Sequence, residues 1–265
     1  MLACLNTPGE MRIYAKKSRD HSELMFKELK IPIKVKNKKN INIIKTSSPT
    51  KLSKFNYNIP GDISSGSFFI ALTLLSKNSQ IRLKNINLNP SRLGILKILN
   101  KMGANIKLKN IKTTKGERHG DIFVKSVKQL KAINCPSSLN SSAIDEFLII
   151  FLIAAKSKGV SYFKDLSELN KKESPRLKLG SKILNMIGIK TKLTSDSIRI
   201  YGRPNIKLSK NYKIKNYLKD HRIMAMCTIA ALTFGGNWKI YDPNSINTSF
   251  PSFLKILKEN FNVKV

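Results

Sequence analysis

Four stretches of this chain alternate apolar and polar side chains with a period of two: 10–15 (EMRIYA), 80–86 (QIRLKNI), 160–166 (VSYFKDL) and 237–242 (NWKIYD). That period predicts half-buried β-strands. After a polar loop, each gives way to apolar positions spaced as on one face of a helix, over 20–29, 91–102, 176–187 and 250–260. Leu93, Leu96 and Leu99, and likewise Ile183, Leu184 and Ile187, fall on one stripe and read as core packing. Each helix runs into a further short strand, at 31–36, 105–108, 189–193 and 262–265. Ahead of the last three units lie segments that are apolar on all sides, 64–76, 145–157 and 221–234. They are too short to span a bilayer and are expected as buried helices.

One unit therefore recurs along the chain, which predicts an internally repeated α/β protein. Punctuation supports the parse: Pro90 and Pro251 at helix starts, Ser18 and Ser91 as caps, Gly103 and Gly188 where helices stop. The first unit is incomplete. Met1-Leu2-Ala3-Cys4-Leu5 reads as the tail of an apolar helix whose beginning is absent. Residues 38–58 are polar, lysine-rich and low in pattern, and end in the turn signal Ile59-Pro60-Gly61-Asp62. A domain boundary is expected there, between 1–59 and 60–265, and the incomplete first unit reads as a fragment, a domain cut from something longer, or a very divergent start.

Composition changes this picture little. A chain of 265 residues, 41% hydrophobic, can bury a sizeable core. The formal charge of +33 invites a nucleic-acid reading. Against it, only nine of the 49 basic residues are arginine, and the lysines are spread almost evenly. Abundant Lys, Asn and Ile are what AT-rich codons specify, and no RNP-type aromatic motif, zinc-finger spacing or arginine-rich helix is present. The remaining consequence of the charge is a field that draws in phosphorylated and carboxylated substrates. Three widely spaced cysteines without a CxxC pattern fit buried thiols in a reducing cytoplasm. The N-terminus lacks the basic region of a signal peptide.

Candidate chemistry gathers at three places: Lys171-Lys172-Glu173-Ser174-Pro175-Arg176, Ile144-Asp145-Glu146-Phe147 and Asp220-His221-Arg222. Two carboxylates with different neighbours, two arginines and a lysine are what proton transfer around an anionic substrate requires. Each also has a plainer reading. Asp145 and Glu146 could be helix N-terminal carboxylates favoured by the dipole, and Glu173 a solvated ion-pair partner. Asp220 could be a helix cap or an arginine's partner, and His221 a loop-orienting residue or a proton shuttle.

These motifs form part of a longer ordered series. It includes Leu5-Asn6-Thr7-Pro8-Gly9-Glu10, Ser18-Arg19-Asp20-His21-Ser22-Glu23, Pro60-Gly61-Asp62-Ile63-Ser64-Ser65 and Asn89-Pro90-Ser91-Arg92-Leu93-Gly94. Further along come Glu168-Leu169, the Lys172-to-Arg176 run, Ala225-Met226 and Thr248-Ser249-Phe250-Pro251. In this order they cover essentially the whole chain, and the chain resembles the enolpyruvyl transferases, most closely the EPSP synthase family. The resemblance implies an α/β (α+β) fold of repeated βαβαββ units in two domains that close on the substrates. It implies that this chain is the C-terminal part of such a protein, with most of the first domain missing and little activity alone. The implied reaction moves the enolpyruvyl group of phosphoenolpyruvate to the 5-hydroxyl of shikimate 3-phosphate, a step of aromatic amino acid and chorismate biosynthesis.

By the same resemblance, Asp145 is the base facing the 5-hydroxyl and Glu173 is the acid and base at the methylene carbon. Arg19, Asp145 and Lys172 contact shikimate 3-phosphate, and Arg176 and Arg222 clamp phosphoenolpyruvate. No metal, other cofactor, nucleic acid or membrane is implied, and the full-length form is expected to be a monomer. Two departures stand out. Pro175 occupies a position that is commonly Asp, and Thr248 one that is Lys in some members. The sister family acting on UDP-N-acetylglucosamine, and a non-catalytic basic domain, are the alternatives.

Overall fold

The computed structural model of the protein describes residues 1–16, 18–39, 41–52, 54 and 56–261. Strands β1 (Glu10–Lys16), β2 (Ile33–Lys38) and β3 (Ile41–Ser47) form an antiparallel sheet in the order β1-β3-β2, with α1 (His21–Glu28) between β1 and β2. Next comes α2 (Ile63–Leu75), followed by β4 (Gln80–Asn87), α3 (Gly94–Lys101), β5 (Asn105–Thr114) and β6 (Glu117–Lys125), in the order β4-β6-β5. The short α4 (Asn140–Ala143) precedes α5 (Phe147–Ala155), β7 (Val160–Phe163), α6 (Arg176–Met186), β8 (Thr191–Leu193) and β9 (Ile198–Tyr201), in the order β7-β9-β8. The last part is β10 (Leu208–Ile214), α7 (His221–Phe234), β11 (Gly235–Ile240) and α8 (Phe253–Phe261), with β10 and β11 parallel.

In all three larger sheets the strand that comes last in sequence lies in the middle. Parallel bridges at Gly61↔Ile86, Lys131↔Lys158 and Asn134↔Tyr162 supply the edge that β10 supplies to β11. The unit is thus βαβαββ, the expected repeat. The strands expected at 10–15, 31–36, 80–86, 105–108, 160–166, 189–193 and 237–242 are present, as are the helices expected after residue 20, with shifted ends.

Several expectations are corrected. Residues 38–58 are not without pattern, because they contain β3, whose Ile44 and Thr46 are buried. The central strand β6 buries Glu117, Gly120 and Asp121 beside its apolar residues, β10 has a polar, exposed first half, and β9 has only four residues, so none of the three shows a clear alternation. The first residues form a 3-10 turn, Leu2–Leu5, rather than the end of an α-helix. Ser18 and Ser91 do not cap: Asp20 precedes α1, and Asn89 accepts from Ser91 N at 2.8 Å to open a 3-10 turn at Pro90–Arg92. Pro251 precedes α8 by two residues. The strand expected at 262–265 lies outside the described residues. Gly103 and Gly188 do end helices, at φ +87 and +80, where a Cβ would be strained.

The core is built on α2, α5 and α7, which pack on one another. Every residue of α5 is buried, so its apolarity on all sides reflects a helix surrounded by protein. No single helix among the described residues is long and apolar enough to cross a membrane; the α4–α5 pair passes on length but bends by 119°. All three cysteines are buried and free.

The three core helices end together. Lys156, just past α5, donates Nζ to Leu75 O at 3.0 Å and to Thr233 O at 3.1 Å, and lies 5.4 Å from the centre of the Phe234 ring. One ammonium therefore meets the carbonyl ends of α2 and α7 beside that of α5, where the helix dipoles favour a cation. Burial first, then Lys77, pushes its pKa down, and hydrogen bonds to the two carbonyls favour the charged form against that desolvation. Lys156→Met is expected to destabilise the protein by about 1–3 kcal/mol, the range for hydrogen bonds to a charged group. Urea unfolding measures this; an unchanged midpoint would remove Lys156 from the account of the core.

Candidate active site

Because the three core helices run the same way, their N-termini also meet, and the chemistry-bearing motifs sit there. Asp62 caps α2, accepting from Ser65 N at 3.1 Å, and Asp220 caps α7, accepting from Arg222 N at 2.9 Å. Between them α5 starts at the 119° corner after α4, and Asp145 and Glu146 occupy that corner. Three convergent N-termini make this end of the domain favourable to anions.

Asp145 is the hub. Its carboxylate is hydrogen-bonded by Arg19, from the segment just before α1. Lys172 Nζ and Arg176 Nη1 each stand 3.7 Å from Asp145 Oδ1. Arg222 donates Nη1 to the Asp145 carbonyl oxygen at 2.8 Å. Burial works to raise the Asp145 pKa, but Arg222, Arg19 and Lys172 together outweigh it and hold the carboxyl at about 2.

Arg176, the first residue of α6, is only 1% exposed, and Asp220 holds it. Nε donates to Asp220 Oδ2 at 2.9 Å and Nη2 to Oδ1 at 3.4 Å, while Ser174 Oγ donates to Oδ2 at 2.7 Å. Burial alone would raise the Asp220 pKa, but Arg176 and Ser174 bring it below the ordinary value. Such a pair is costly to desolvate, and the paired hydrogen bonds to Asp220 offset that cost. Glu173, half-exposed, reaches Arg176 Nη2 at 2.5 Å. Lys172 is shared with the exposed Glu168 at 3.3 Å.

Arg19, Asp145, Lys172, Glu173, Arg176 and Arg222 thus form one connected group. Among the described residues Arg222 pairs with no carboxylate, which leaves most of its guanidinium donors for a ligand. Lys171 is exposed. His221 is half-buried, and burial first, then Arg222, lowers its pKa, which favours the neutral imidazole. Asp220 is both cap and arginine partner. Pro175 stands at the N-cap of α6 rather than in its first turn, and Thr248 donates to Ser245 O at 2.9 Å.

Sequence reasoning missed the buried supports. Glu146 stands at the N-terminus of α5 as its plainer reading has it, but it is 2% exposed, makes no side-chain cap bond and is bonded by Ser64 Oγ instead. Ser64 in turn accepts from Arg92 Nη2 at 2.7 Å, and Arg92 pairs with Asp62 at 2.6 Å. The available signal was position: Asp62, Glu146 and Asp220 each immediately precede an apolar helix.

Residues 1–257 match the family model of EPSP synthase (3-phosphoshikimate 1-carboxyvinyltransferase). The 3-phosphoshikimate 1-carboxyvinyltransferase of Thermodesulfovibrio yellowstonii is 37% identical over 260 residues, covering 97% of this chain and 59% of that protein. That of Ruthia magnifica is 36% identical over 264 residues, 98% of this chain and 58% of that protein. The chain therefore spans just under three-fifths of the length of these curated relatives. Among solved structures, an EPSP synthase from Acinetobacter baumannii superposes with a TM-score of 0.87 at 31% identity, over 97% of this chain and 58% of that one. The enolpyruvyl transferase NikO from Streptomyces tendae, at 14% identity and a TM-score of 0.71 over 96% of this chain and 56% of its own, shares the fold. With the repeated βαβαββ units and the motif series in register from one end to the other, the chain belongs to the EPSP synthase family.

Proposed function

We propose that this chain carries the carboxylate-and-arginine face of a site that transfers the enolpyruvyl group of phosphoenolpyruvate to the 5-hydroxyl of shikimate 3-phosphate. The observation that carries the reading is the gathering of Arg19, Lys172, Arg176 and Arg222 around Asp145 where three helix N-termini meet. Two anionic substrates need cations that face them before any proton moves.

In this reading Arg176 and Arg222 hold phosphoenolpyruvate, whose carboxylate and phosphate each suit a planar guanidinium. Arg19 and Lys172 hold shikimate 3-phosphate. The 5-hydroxyl oxygen bonds to C2 of the enol phosphate while Glu173, as the neutral acid, gives its proton to the methylene and Asp145 takes the hydroxyl proton. Glu173 then removes a proton from the new methyl group as the C–O bond to phosphate breaks. A carboxylate held at about 2 is a poor base, so Asp145 becomes one only when bound anions offset the charge of Arg222, Arg19 and Lys172. That links proton transfer to occupancy of both subsites. Glu173, half-exposed beside Arg176, is placed to let go of that arginine when a substrate anion arrives.

We also infer that residues 1–59 and 60–265 belong to two domains, because Cys4, Phe26 and Ile31 form a hydrophobic cluster apart from the main core. A reducing, cytoplasmic location is consistent with three buried free thiols.

Phosphate release from shikimate 3-phosphate plus phosphoenolpyruvate tests the reaction, with this chain alone and joined to the N-terminal part of a relative. Turnover is expected only in the joined form, because one face of a cleft orients substrates poorly. Glu173→Gln is expected to lower kcat in that form by about 10²-fold or more. Full turnover by the chain alone would refute the one-sided site, and a well-folded but inert joined form would move the reading to another acceptor, such as UDP-N-acetylglucosamine. A second measurement concerns the clamp. Arg222→Lys keeps the charge and loses the paired donors, so the KM for phosphoenolpyruvate is expected to rise roughly 10- to 100-fold, with that for shikimate 3-phosphate little changed. Equal effects on both would take Arg222 out of the phosphoenolpyruvate subsite.

A further inference from the structure

Asp62, Glu146 and Asp220 stand at the same place in successive repeats, the residue before a core helix. Two of them do what that place favours and accept a hydrogen bond from the helix's own backbone. The third does not. Glu146 leaves α5 without a side-chain cap and is bonded instead by Ser64, in the first turn of α2. Its extra methylene carries the carboxyl across the helix interface. Ser64 is itself fixed by Arg92, and Arg92 by the cap residue Asp62. All of this lies behind the corner at which Asp145 faces the site, and the Asp145 carbonyl is the group that Arg222 grips.

We propose that Glu146 is a positioning residue that, tied through Ser64 to Arg92, fixes the α4–α5 corner so that Asp145 presents its carboxylate to Arg19 and its carbonyl to Arg222. This rests on the reading of Asp145 and Arg222 as site residues. Giving up a helix cap and burying a carboxyl are both unfavourable locally. The arrangement therefore persists because the neighbouring helices over-determine it. Burial first, and then Asp145, raise the Glu146 pKa against the opposing pull of Ser64, Arg222 and Arg92. A hydrogen-bonding group of the same length is what the corner requires.

The test follows Asp145 itself, by carboxyl-carbon NMR titration of the protein, with the signal assigned through Asp145→Asn. Any negative charge lost with Glu146 would, by electrostatics alone, lower the Asp145 midpoint, and would do so in Glu146→Gln as much as in Glu146→Ala, so a rise confined to Glu146→Ala is not electrostatic. Loosening the corner away from Arg19 and Arg222 raises it. Glu146→Ala and Ser64→Ala are expected to raise the midpoint by about one pH unit, while Glu146→Gln leaves it near the wild-type value. A lowered or unchanged midpoint in Glu146→Ala overturns the proposal. Since acid can unfold a variant before Asp145 titrates, the side-chain N–H exchange of Arg222 is measured at neutral pH as well. Exchange is expected to quicken about tenfold in Glu146→Ala and to be restored in Glu146→Gln, a pattern that a general loss of stability does not give. Equal exchange in all variants would also overturn it. Neither readout requires turnover. A joined enzyme that releases no phosphate while these signals behave as expected refutes the reaction and leaves the positioning role, and the converse result separates the two in the other direction.

Discussion

Three helices that are apolar on every side impose the constraint from which the rest follows. None of α2, α5 and α7 has a polar face to turn to water, so each must be surrounded. Each is the first helix of its own repeat, so each enters the core in the same sense. Parallel packing places three carbonyl ends together and three N–H ends together, and each cluster of partial charge then needs an answer. At one end the answer is a single ammonium, Lys156, bonded to the carbonyls of two helices and standing at the end of the third. At the other it is a set of carboxylates at or beside the cap positions, and these bring arginines with them.

The arginine end is arranged so that almost every charge is committed before a ligand arrives. Asp220 spends both oxygens on Arg176, Ser174 and a helix N–H, which fixes a guanidinium that is 1% exposed. Asp145 answers Arg19, Lys172 and Arg176 with one carboxylate. Positive charge is left in excess, and its most available donors are on Arg222. An excess of positive charge at three helix N-termini favours anions.

Much of this was legible in the sequence, because the repeat writes the same periodicities again and again. The edge strands, all the long helices and the boundary of α7 follow from apolar spacing in sequences such as NWKIYD and HRIMAMCTIAALTF. The central strands did not stand out. In ERHGDIFVK the buried Glu117, Gly120 and Asp121 dilute the alternation, and IRIY is too short to register. The residues of the candidate site stood out only as an ordered series of motifs, since Asp145 alone reads as a helix-end carboxylate and Glu173 alone as a surface charge. Their supports were not legible at all. Nothing local in Asp145-Glu146 says that one side chain meets Arg19 and the other Ser64, because a 119° corner between α4 and α5 decides it.

Repetition also explains how one structural position comes to do three jobs. The residue before the core helix is a capping aspartate in α2 and α7, and in each case its second task is to hold an arginine, Arg92 for Asp62 and Arg176 for Asp220. In α5 the position is a glutamate that abandons its own helix for the neighbouring one, and the carboxylate facing the site moves one residue back, to Asp145. The equivalent ends of α2 and α7 are straight starts held by their own caps. At the bent start of α5 the outward carboxylate is not needed as a cap, and that freedom is what lets Asp145 meet Arg19, Lys172 and Arg176 rather than the helix behind it.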